Sequence, residues 1–255
     1  MRIHHLVAGR VAPPVGPATI CHVLLAEHPD GLTLVDSGFS RADLADPRRL
    51  GFMRHLVRPV AGFTAADAVE GAGFDIGDVA HIVLTHLDFD HVGGAADFPN
   101  AVWHTTATEW TAARTDTARI ERTRYRDAQL RDAPEVRTYA GEGDTWRHGL
   151  SAHSVLDGIS LVPLAGHTRG HAAVALQGED DLVVHAGDAV FDASSYRAAG
   201  VDGRPLTKIA SMRAFERAVA RIPKRLAANH AVLAELQDDP DVTVVNAHDE
   251  RVFPG

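Results

Sequence analysis

The amino-acid sequence predicts an α/β fold in which two mixed β-sheets pack face to face and helices cover the outer faces. Three observations favour this fold. Short runs rich in β-branched residues alternate with helical segments, strands are followed by a helix in both halves of the chain, and 45% of the 255 residues are apolar. A chain of this length and composition can bury a large core, and no composition shift or flexible linker divides it, so we expect a single domain over residues 1–255.

Three short strands are predicted at the start of the chain. Residues 3–8, 20–26 and 31–35 are rich in β-branched residues and are separated by Pro-Pro and by Pro-Asp-Gly, which is a turn signal. They predict a meander of strands. Residues 65–71 have a helical composition that closes with glycine, and residues 81–84 form a compact apolar run that is typical of a buried strand.

The middle of the chain is polar. Residues 105–130 have a periodic pattern that predicts one or two surface helices. Six arginines lie between residues 114 and 131. They fit either a solvated helical face or a flap over the substrate whose arginines meet an anionic group.

Strands and helices alternate again in the second half. Residues 159–163, 172–176, 182–185 and 242–245 each read as a strand. Two apolar helical faces are expected between the last two of these strands: one consists of Met212, Phe215 and Val219, and the other of Ile222, Leu226, Leu233 and Leu236. Pro223 suits the first position of the second helix.

Charge and composition narrow the classes of function. The 34 acidic and 25 basic residues give a net charge of −9, which disfavours nucleic acids and anionic membranes as partners. No apolar run approaches the roughly 20 residues that span a bilayer, and the N-terminal segment lacks the features of an export signal. The single cysteine, Cys21, can form neither an internal disulfide nor a thiolate metal cluster. We therefore expect a cytoplasmic protein that acts on a small molecule, in an oligomeric state that the sequence does not define.

The strongest functional signal is the segment Thr-His-Leu-Asp-Phe-Asp-His-Val-Gly-Gly at residues 85–94, directly after the strand predicted at 81–84. Four side chains within six residues can bind a metal ion, namely His86, Asp88, Asp90 and His91. Imidazole and carboxylate are the usual donors for zinc and similar divalent ions. The interleaved Leu87 and Phe89 can anchor this loop in the core while the polar side chains turn toward a shared ion.

Three further candidates follow later strands. His167 lies in the segment Gly-His-Thr-Arg-Gly-His, Asp188 follows the strand predicted at 182–185, and His248 follows the one predicted at 242–245. Each lies just past the end of a strand, so loops on the same edge of a sandwich can bring these side chains to one point. The sequence therefore predicts a metal centre at this edge.

Together these segments resemble the metallo-β-lactamase superfamily. The family pattern is His-x-His-x-Asp-His, then a histidine in a Gly-His-Thr-x-Gly-His loop, an aspartate after a strand and a late histidine. The order of the motifs is similar here, with successive gaps of 76, 21 and 60 residues from His91 to His167, Asp188 and His248. The resemblance covers residues 20–250 and implies an αββα sandwich with a metal centre at one edge of the two sheets.

The resemblance also implies a role for each residue of the motif. His86, Asp88 and His167 would hold a first metal ion, Asp90, His91 and His248 a second, and Asp188 would bridge the two. Asp36, in the segment Val-Asp-Ser-Gly, would support the metal loop by hydrogen bonds, or would simply form a turn. His171, in the same loop as His167, is expected to be a hydrogen-bond partner instead of a ligand. No substrate-binding residue is predicted.

Asp88 departs from the family, because most relatives have histidine there. A carboxylate adds negative charge and a hard oxygen donor, which shifts preference from zinc toward iron or manganese. Two divalent ions are expected, and zinc is the first choice. Aspartate is short, so a hydrogen-bonding role for Asp88 with a weak or empty first site stays open.

The implied activity is hydrolysis of an ester-like bond in a small molecule. Two cations would lower the pKa of a shared water and supply a bridging hydroxide, and Asp90 would orient it and return a proton to the leaving group. The spacing is similar to that of acyl-homoserine lactonases, although these have a tyrosine at the position of Phe191. A thioesterase similar to glyoxalase II and a β-lactam hydrolase are alternatives, and Asp88 also motivates an iron-dependent oxidoreductase.

Overall fold

Two six-stranded sheets form the centre of the protein, and each contains both parallel and antiparallel strands. The computed structural model describes residues 1–12, 16–56, 63–115, 123–131 and 133–254. The predicted pair of mixed sheets with outer helices is confirmed.

The first sheet contains the first six strands in chain order. They are β1 (Ile3–Val11), β2 (Thr19–His28), β3 (Gly31–Val35), β4 (Val79–Val83), β5 (Val102–Thr106) and β6 (Val136–Tyr139). Strands β1, β2 and β3 pair antiparallel and form the predicted meander. Strands β3 to β6 are parallel, so their carboxyl ends meet at one edge of the sheet.

The second sheet contains the last six strands, also in the order of the chain. They are β7 (Asp144–Thr145), β8 (Ser151–Leu156), β9 (Ile159–Pro163), β10 (Ala172–Gln177), β11 (Leu182–His185) and β12 (Val242–Val245). Strands β7 to β11 pair antiparallel, and β11 pairs in parallel with β12. The carboxyl ends of β11 and β12 therefore lie side by side.

Seven α-helices are described. They are α1 (Arg41–Ala45), α2 (Met53–Leu56), α3 (Ala65–Gly71), α4 (Ala107–Thr115), α5 (Asp127–Leu130), α6 (Ala210–Val219) and α7 (Leu226–Asp238). In the part of the chain that the structure describes, none of the helices has the length and apolar character needed to cross a membrane.

Three apolar clusters account for the layers of the fold. The middle cluster joins the two sheets and includes Leu24, Val35 and Val83 from the first and Leu161, Val174 and Val245 from the second. Helix α3 packs on the outer face of the first sheet through Ala66 and Val69. Helix α7 packs on the outer face of the second sheet through Leu233 and Leu236. Burial of apolar surface on both faces of each sheet stabilises the sandwich.

Several predicted elements differ from those observed. Residues 105–106 end strand β5 instead of starting a helix, and helices α4 and α5 lie within the rest of the predicted helical segment. Residues 116–122 of that segment lie outside the described residues. Pro223 opens a short 3-10 turn, Pro223–Arg225, and α7 begins only at Leu226. Strands β5 to β8 were not predicted. Of these, β6 and β7 are short and partly exposed and lack an apolar run.

Candidate metal centre

The predicted ligands all lie in loops that adjoin strand ends at one edge of the sandwich. His86 to His91 follow β4, and His167 lies between β9 and β10. Asp188 follows β11, and His248 follows β12. Because β11 and β12 are parallel neighbours, the loops after them emerge together. The two sheets thus bring residues that are up to 162 positions apart in sequence to one place.

The seven side chains form two adjacent groups. One contains His86, Asp88, His167 and Asp188, the other contains Asp90, His91 and His248, and in each group one donor atom from every residue lies within 4.8 Å of the others. The prediction that these residues converge is confirmed by the geometry. Their role as metal ligands stays a prediction.

Asp188 lies between the two groups. Its Oδ2 atom is 3.7 Å from His86 Nε2 and 3.3 Å from His167 Nε2. Its Oδ1 atom is 3.3 Å from His91 Nε2 and 3.1 Å from His248 Nε2. Each carboxylate oxygen therefore faces a different group, which is the arrangement that a bridging ligand requires. Burial alone would raise the pKa of Asp188, but the imidazoles of His248 and His91 hold it well below its usual range.

The donor atoms fit divalent cations. His86 Nε2, His91 Nε2, Asp88 Oδ1 and Asp188 Oδ1 are buried and have no hydrogen-bond partner among the described residues. Buried polar atoms are nearly always paired, so a cluster of neighbouring unpaired acceptors fits side chains that would hold a cation. Imidazole nitrogens together with carboxylate oxygens match the donor preferences of zinc, iron and manganese.

Hydrogen bonds behind the ligands fix the tautomers of three histidines. His91 Nδ1 donates to Asp36 Oδ2 at 2.8 Å, and His248 Nδ1 donates to the carbonyl oxygen of Ile20 at 2.9 Å. The Thr85 hydroxyl donates to Asp36, so it must accept from His86 Nδ1, which is 2.9 Å away. All three rings therefore direct an Nε2 lone pair at the centre.

Asp36 and His171 both make hydrogen bonds that support the predicted metal ligands. Asp36 is buried, and besides His91 it accepts from both the amide and the hydroxyl of Thr85, each at 2.8 Å. Although burial raises the pKa of Asp36, the interaction with His91 outweighs that effect and lowers it. His171 Nε2 accepts from the amide of Asp188 at 3.0 Å, which orients the loop that carries the carboxylate between the two groups.

Arg124 lies in the first group, where sequence reasoning did not place it. Its side chain is 7% exposed, and Nη1 donates to Asp88 Oδ2 at 2.5 Å and to His167 Nε2 at 2.8 Å. On the other side, Nη2 donates to the carbonyl oxygen of Val219 at 2.6 Å. Burial opposes the charge of Asp88, but the guanidinium holds the pKa of that carboxyl well below its usual range. The arginine-rich composition of this segment was the only signal in the sequence.

Glu109, on helix α4, is a second residue that sequence reasoning missed. It is fully buried, and Oε1 accepts from the Leu87 amide at 3.0 Å and from the Tyr125 hydroxyl at 3.1 Å. Oε2 accepts from the Thr168 hydroxyl at 2.7 Å and from the Gly170 amide at 3.1 Å. Leu87 belongs to the first metal loop and Gly170 to the loop of His167, so this carboxylate connects two ligand-bearing loops.

Histidines outside the centre have structural partners. His230 lies on α7, and its Nε2 atom is 2.6 Å from a carboxylate oxygen of Glu216, and this histidine is not part of either group. His185 is bonded to the carbonyl oxygen of His22 in the core. Cys21 is a buried free thiol.

A cavity of about 260 Å³ opens onto both groups. Asp88, Asp90, His167, Asp188 and His248 form its polar end, and its walls include Met53, Phe89, Phe191, Met212, Phe215 and Val219. The ring of Phe191 packs against both His167 and His248, with ring centroids 5.7 and 5.3 Å apart. Tyr196 packs in the apolar cluster between α7 and the second sheet, and it does not line this cavity. The cavity therefore combines a charged end with an apolar wall.

The contribution of Asp88 to metal preference can be tested by substitution. We expect Asp88→His to remain folded and to take up a larger share of zinc, because imidazole is softer than carboxylate and carries no charge. Both proteins should be reconstituted in equal mixtures of iron, manganese and zinc, and the bound metals measured. Identical metal ratios in the two proteins would show that Asp88 is not a ligand.

Comparisons with known proteins agree with this architecture. A family model described as the metallo-β-lactamase superfamily matches residues 16–248. A probable metallo-hydrolase of Mycobacterium tuberculosis is 42% identical over 260 residues, which cover 99% of this chain and 82% of that protein. The N-acyl homoserine lactonase AttM of Rhizobium johnstonii is 38% identical over 80 residues, 30% of each chain.

A solved structure extends the similarity of fold to the whole chain. It is that of a mutant of AiiA from B. thuringiensis with N-decanoyl-L-homoserine bound at its active site. The TM-score is 0.72 at 19% identity, and the match covers 99% of this chain and 97% of that one. At this level of identity the match supports the fold alone.

Proposed function

Because the chain belongs to the metallo-β-lactamase superfamily, we propose that it is a metal-dependent hydrolase that opens lactones bearing an apolar chain. One observation carries the proposal: the apolar cavity ends at the two groups of metal-binding side chains. An ester carbonyl placed at the polar end would leave an attached chain against Phe191, Met212 and Phe215. The name of one relative, an N-acyl homoserine lactonase, agrees with this substrate class.

Two divalent ions would be held at the centre, with zinc as the best match to its imidazole donors. His86, Asp88 and His167 would hold one ion and Asp90, His91 and His248 the other, with Asp188 between them. Bound there, such ions polarise the ester carbonyl and lower the pKa of a bound water toward about 7. The hydrogen bonds at the Nδ1 atoms of His91 and His248 would keep those rings oriented before substrate arrives.

Asp90 is the proposed proton carrier. Its side chain lines the cavity, is 12% exposed, and has Oδ2 at 3.7 Å from His248 Nε2. A carboxylate oxygen in this position can orient the attacking water and then return a proton to the alkoxide oxygen that leaves when the ring opens. The apolar residues around the cavity exclude bulk water from that transfer.

Asp90→Asn is expected to reduce kcat by about 10²- to 10⁴-fold while the fold survives, because an amide can neither carry the proton nor hold a cation as well. The measurement is steady-state hydrolysis with bound metal determined on the same sample. An Asn variant that keeps most of its turnover at a normal metal content would remove Asp90 from the mechanism.

The substrate class is tested with a panel of hydrolysable compounds. The protein, reconstituted with zinc, manganese or iron, is assayed on N-acyl homoserine lactones of increasing chain length, a glutathione thioester and a β-lactam, with oxygen uptake followed in parallel. We expect ring opening of the lactones, with kcat/KM rising by about three- to fourfold for each methylene group until the cavity is filled.

A matched variant tests the apolar wall. Phe215 is 42% exposed, lines the cavity and belongs to neither metal group, so Phe215→Gln should flatten the dependence on chain length and leave short lactones largely unaffected. A preference for the thioester or the β-lactam would contradict the lactonase proposal. Metal-dependent oxygen uptake without hydrolysis would instead support the iron-dependent oxidoreductase.

A further inference from the structure

The guanidinium of Arg124 lies at the first metal position. Its Nη1 atom contacts Asp88 Oδ2 and His167 Nε2, which are themselves 2.9 Å apart. Asp88 and His167 are two of the four residues of the first group. A cation supplied by the chain therefore contacts side chains that an ion at this position would need.

The chemistry of His167 makes this occupancy exclusive. An imidazole nitrogen has a single lone pair, which it can give to one partner only. Nε2 either accepts from Arg124 or, when it is protonated, donates to Asp88, and in both cases it has no lone pair left for a metal ion. An ion can bind this nitrogen only after Arg124 has moved away or the Asp88 contact has broken.

The second group differs in this respect. His91 and His248 use their Nδ1 atoms for hydrogen bonds to Asp36 and to the carbonyl oxygen of Ile20. Their Nε2 atoms lie 3.3 and 3.1 Å from Asp188 Oδ1 and point at the same space as Asp90. This group is oriented to receive an ion without displacing a side chain.

The charges of the centre agree with unequal loading. Asp88, Asp90 and Asp188 contribute three negative charges among the donors. The Arg124 guanidinium already offsets part of this charge, and a divalent ion at the first position would meet it as a like charge a few Å away in a buried place. Uncompensated charge in a low-dielectric environment is strongly unfavourable.

We propose that Arg124 is a built-in cation at the first metal position, so that the second position loads tightly and the first loads weakly, by displacing Arg124. The proposal rests on the metal dependence in the proposed function. It assigns to Asp88 a second role, since the carboxylate that replaces the usual histidine is also the partner of the guanidinium.

The test is a titration of the metal-free full-length protein with zinc, followed by calorimetry and by metal analysis after equilibrium dialysis. The wild type should bind one ion tightly and a second ion weakly. In Arg124→Gln the second ion should bind at least about tenfold more tightly, because a like charge a few Å away is removed. Arg124→Met, whose unbranched apolar side chain suits a cavity lined by Met53 and Met212, provides the same readout if the Gln variant does not fold.

Two further variants distinguish an effect of the charge of Arg124 from an effect of disturbing the segment that carries it. Arg124→Lys keeps the charge and should retain the weak second ion. Arg126→Gln is the matched control, since Arg126 lies two residues away and contacts the carbonyl oxygen of Arg49, and its zinc binding should equal that of the wild type.

The outcomes distinguish this inference from the proposed function. Equal affinity for the second ion in the wild type and in the neutral variants would overturn the role of Arg124 alone. A wild-type protein that takes up no divalent ion would contradict the proposed function and this inference with it. Tighter second-ion binding in Arg124→Gln but not in Arg124→Lys or Arg126→Gln supports the inference.

Discussion

Replacing Asp188 by asparagine is expected to weaken metal binding at both groups and to reduce kcat/KM by about 10³-fold or more, because several kcal/mol of transition-state stabilisation depend on the bound ions. The reason is that the two carboxylate oxygens face different groups, and each of them faces two imidazoles. An asparagine side chain has one acceptor oxygen and an NH₂ group that only donates, so at most one group keeps an oxygen ligand. The negative charge between the four imidazoles is lost as well.

Asp192→Asn is the matched control for this substitution. Asp192 lies four residues along the chain and is also buried, but it accepts from Arg213 and Arg251 and belongs to neither metal group. Its asparagine variant should lose about 1–3 kcal/mol of stability and keep a normal metal content. Bound metal is measured by elemental analysis and stability by denaturant unfolding. If Asp188→Asn retained the wild-type metal load, the bridging role of Asp188 would be excluded.

The metal groups could be predicted because their signal is local. His86, Asp88, Asp90 and His91 lie within six residues of one another, directly after an apolar run that is typical of a buried strand. The remaining donors also follow strands, and parallel neighbours end at the same edge of a sheet. The order of the predicted strands and the types of residue that follow them were thus enough to predict that the metal-binding side chains converge, without any measured distance between them.

The interactions that shape the centre from outside could not be predicted in the same way. Arg124 reaches Asp88, which is 36 residues away, from a segment whose arginines fitted a solvated helical face equally well. Glu109 lies on a short helix whose composition gives no sign that its carboxylate is buried. Such contacts depend on side-chain direction and on the packing of helices against a sheet edge, neither of which a one-dimensional pattern encodes.

The apolar side of the cavity shows a similar limit. The shared face of Met212, Phe215 and Val219 predicted a helix that packs on the core, and α6 does contain these residues. All three residues line the cavity, however, and Phe215 is 42% exposed. Periodicity identifies an apolar face, but it does not distinguish a face that meets the core from one that meets a ligand.

Glu109→Gln is expected to lower metal affinity by about 10- to 100-fold, as is typical when a group that holds ligands in place is removed. The four partners described above for Glu109 all donate, and a carboxylate can accept from each of them. The two hydroxyls can rotate, but the backbone amides of Leu87 and Gly170 cannot, and they face different oxygens of Glu109. Whichever way a glutamine side chain is turned, its NH₂ group must face one backbone N–H.

This conflict would loosen either the loop of Leu87 or the loop of Gly170. A loss of metal affinity in the variant would therefore identify Glu109 as a positioning residue. A buried N–H without an acceptor costs about 1–3 kcal/mol, so the free energy of unfolding should fall by a similar amount. Glu70→Gln is the control, because Glu70 is an exposed helical glutamate paired with Arg41, and both metal affinity and stability should stay close to wild type. Zinc titration calorimetry and denaturant unfolding give the two quantities. A Glu109→Gln variant that lost stability yet bound zinc with wild-type affinity would restrict Glu109 to packing, since the two loops would then hold their ligands without it.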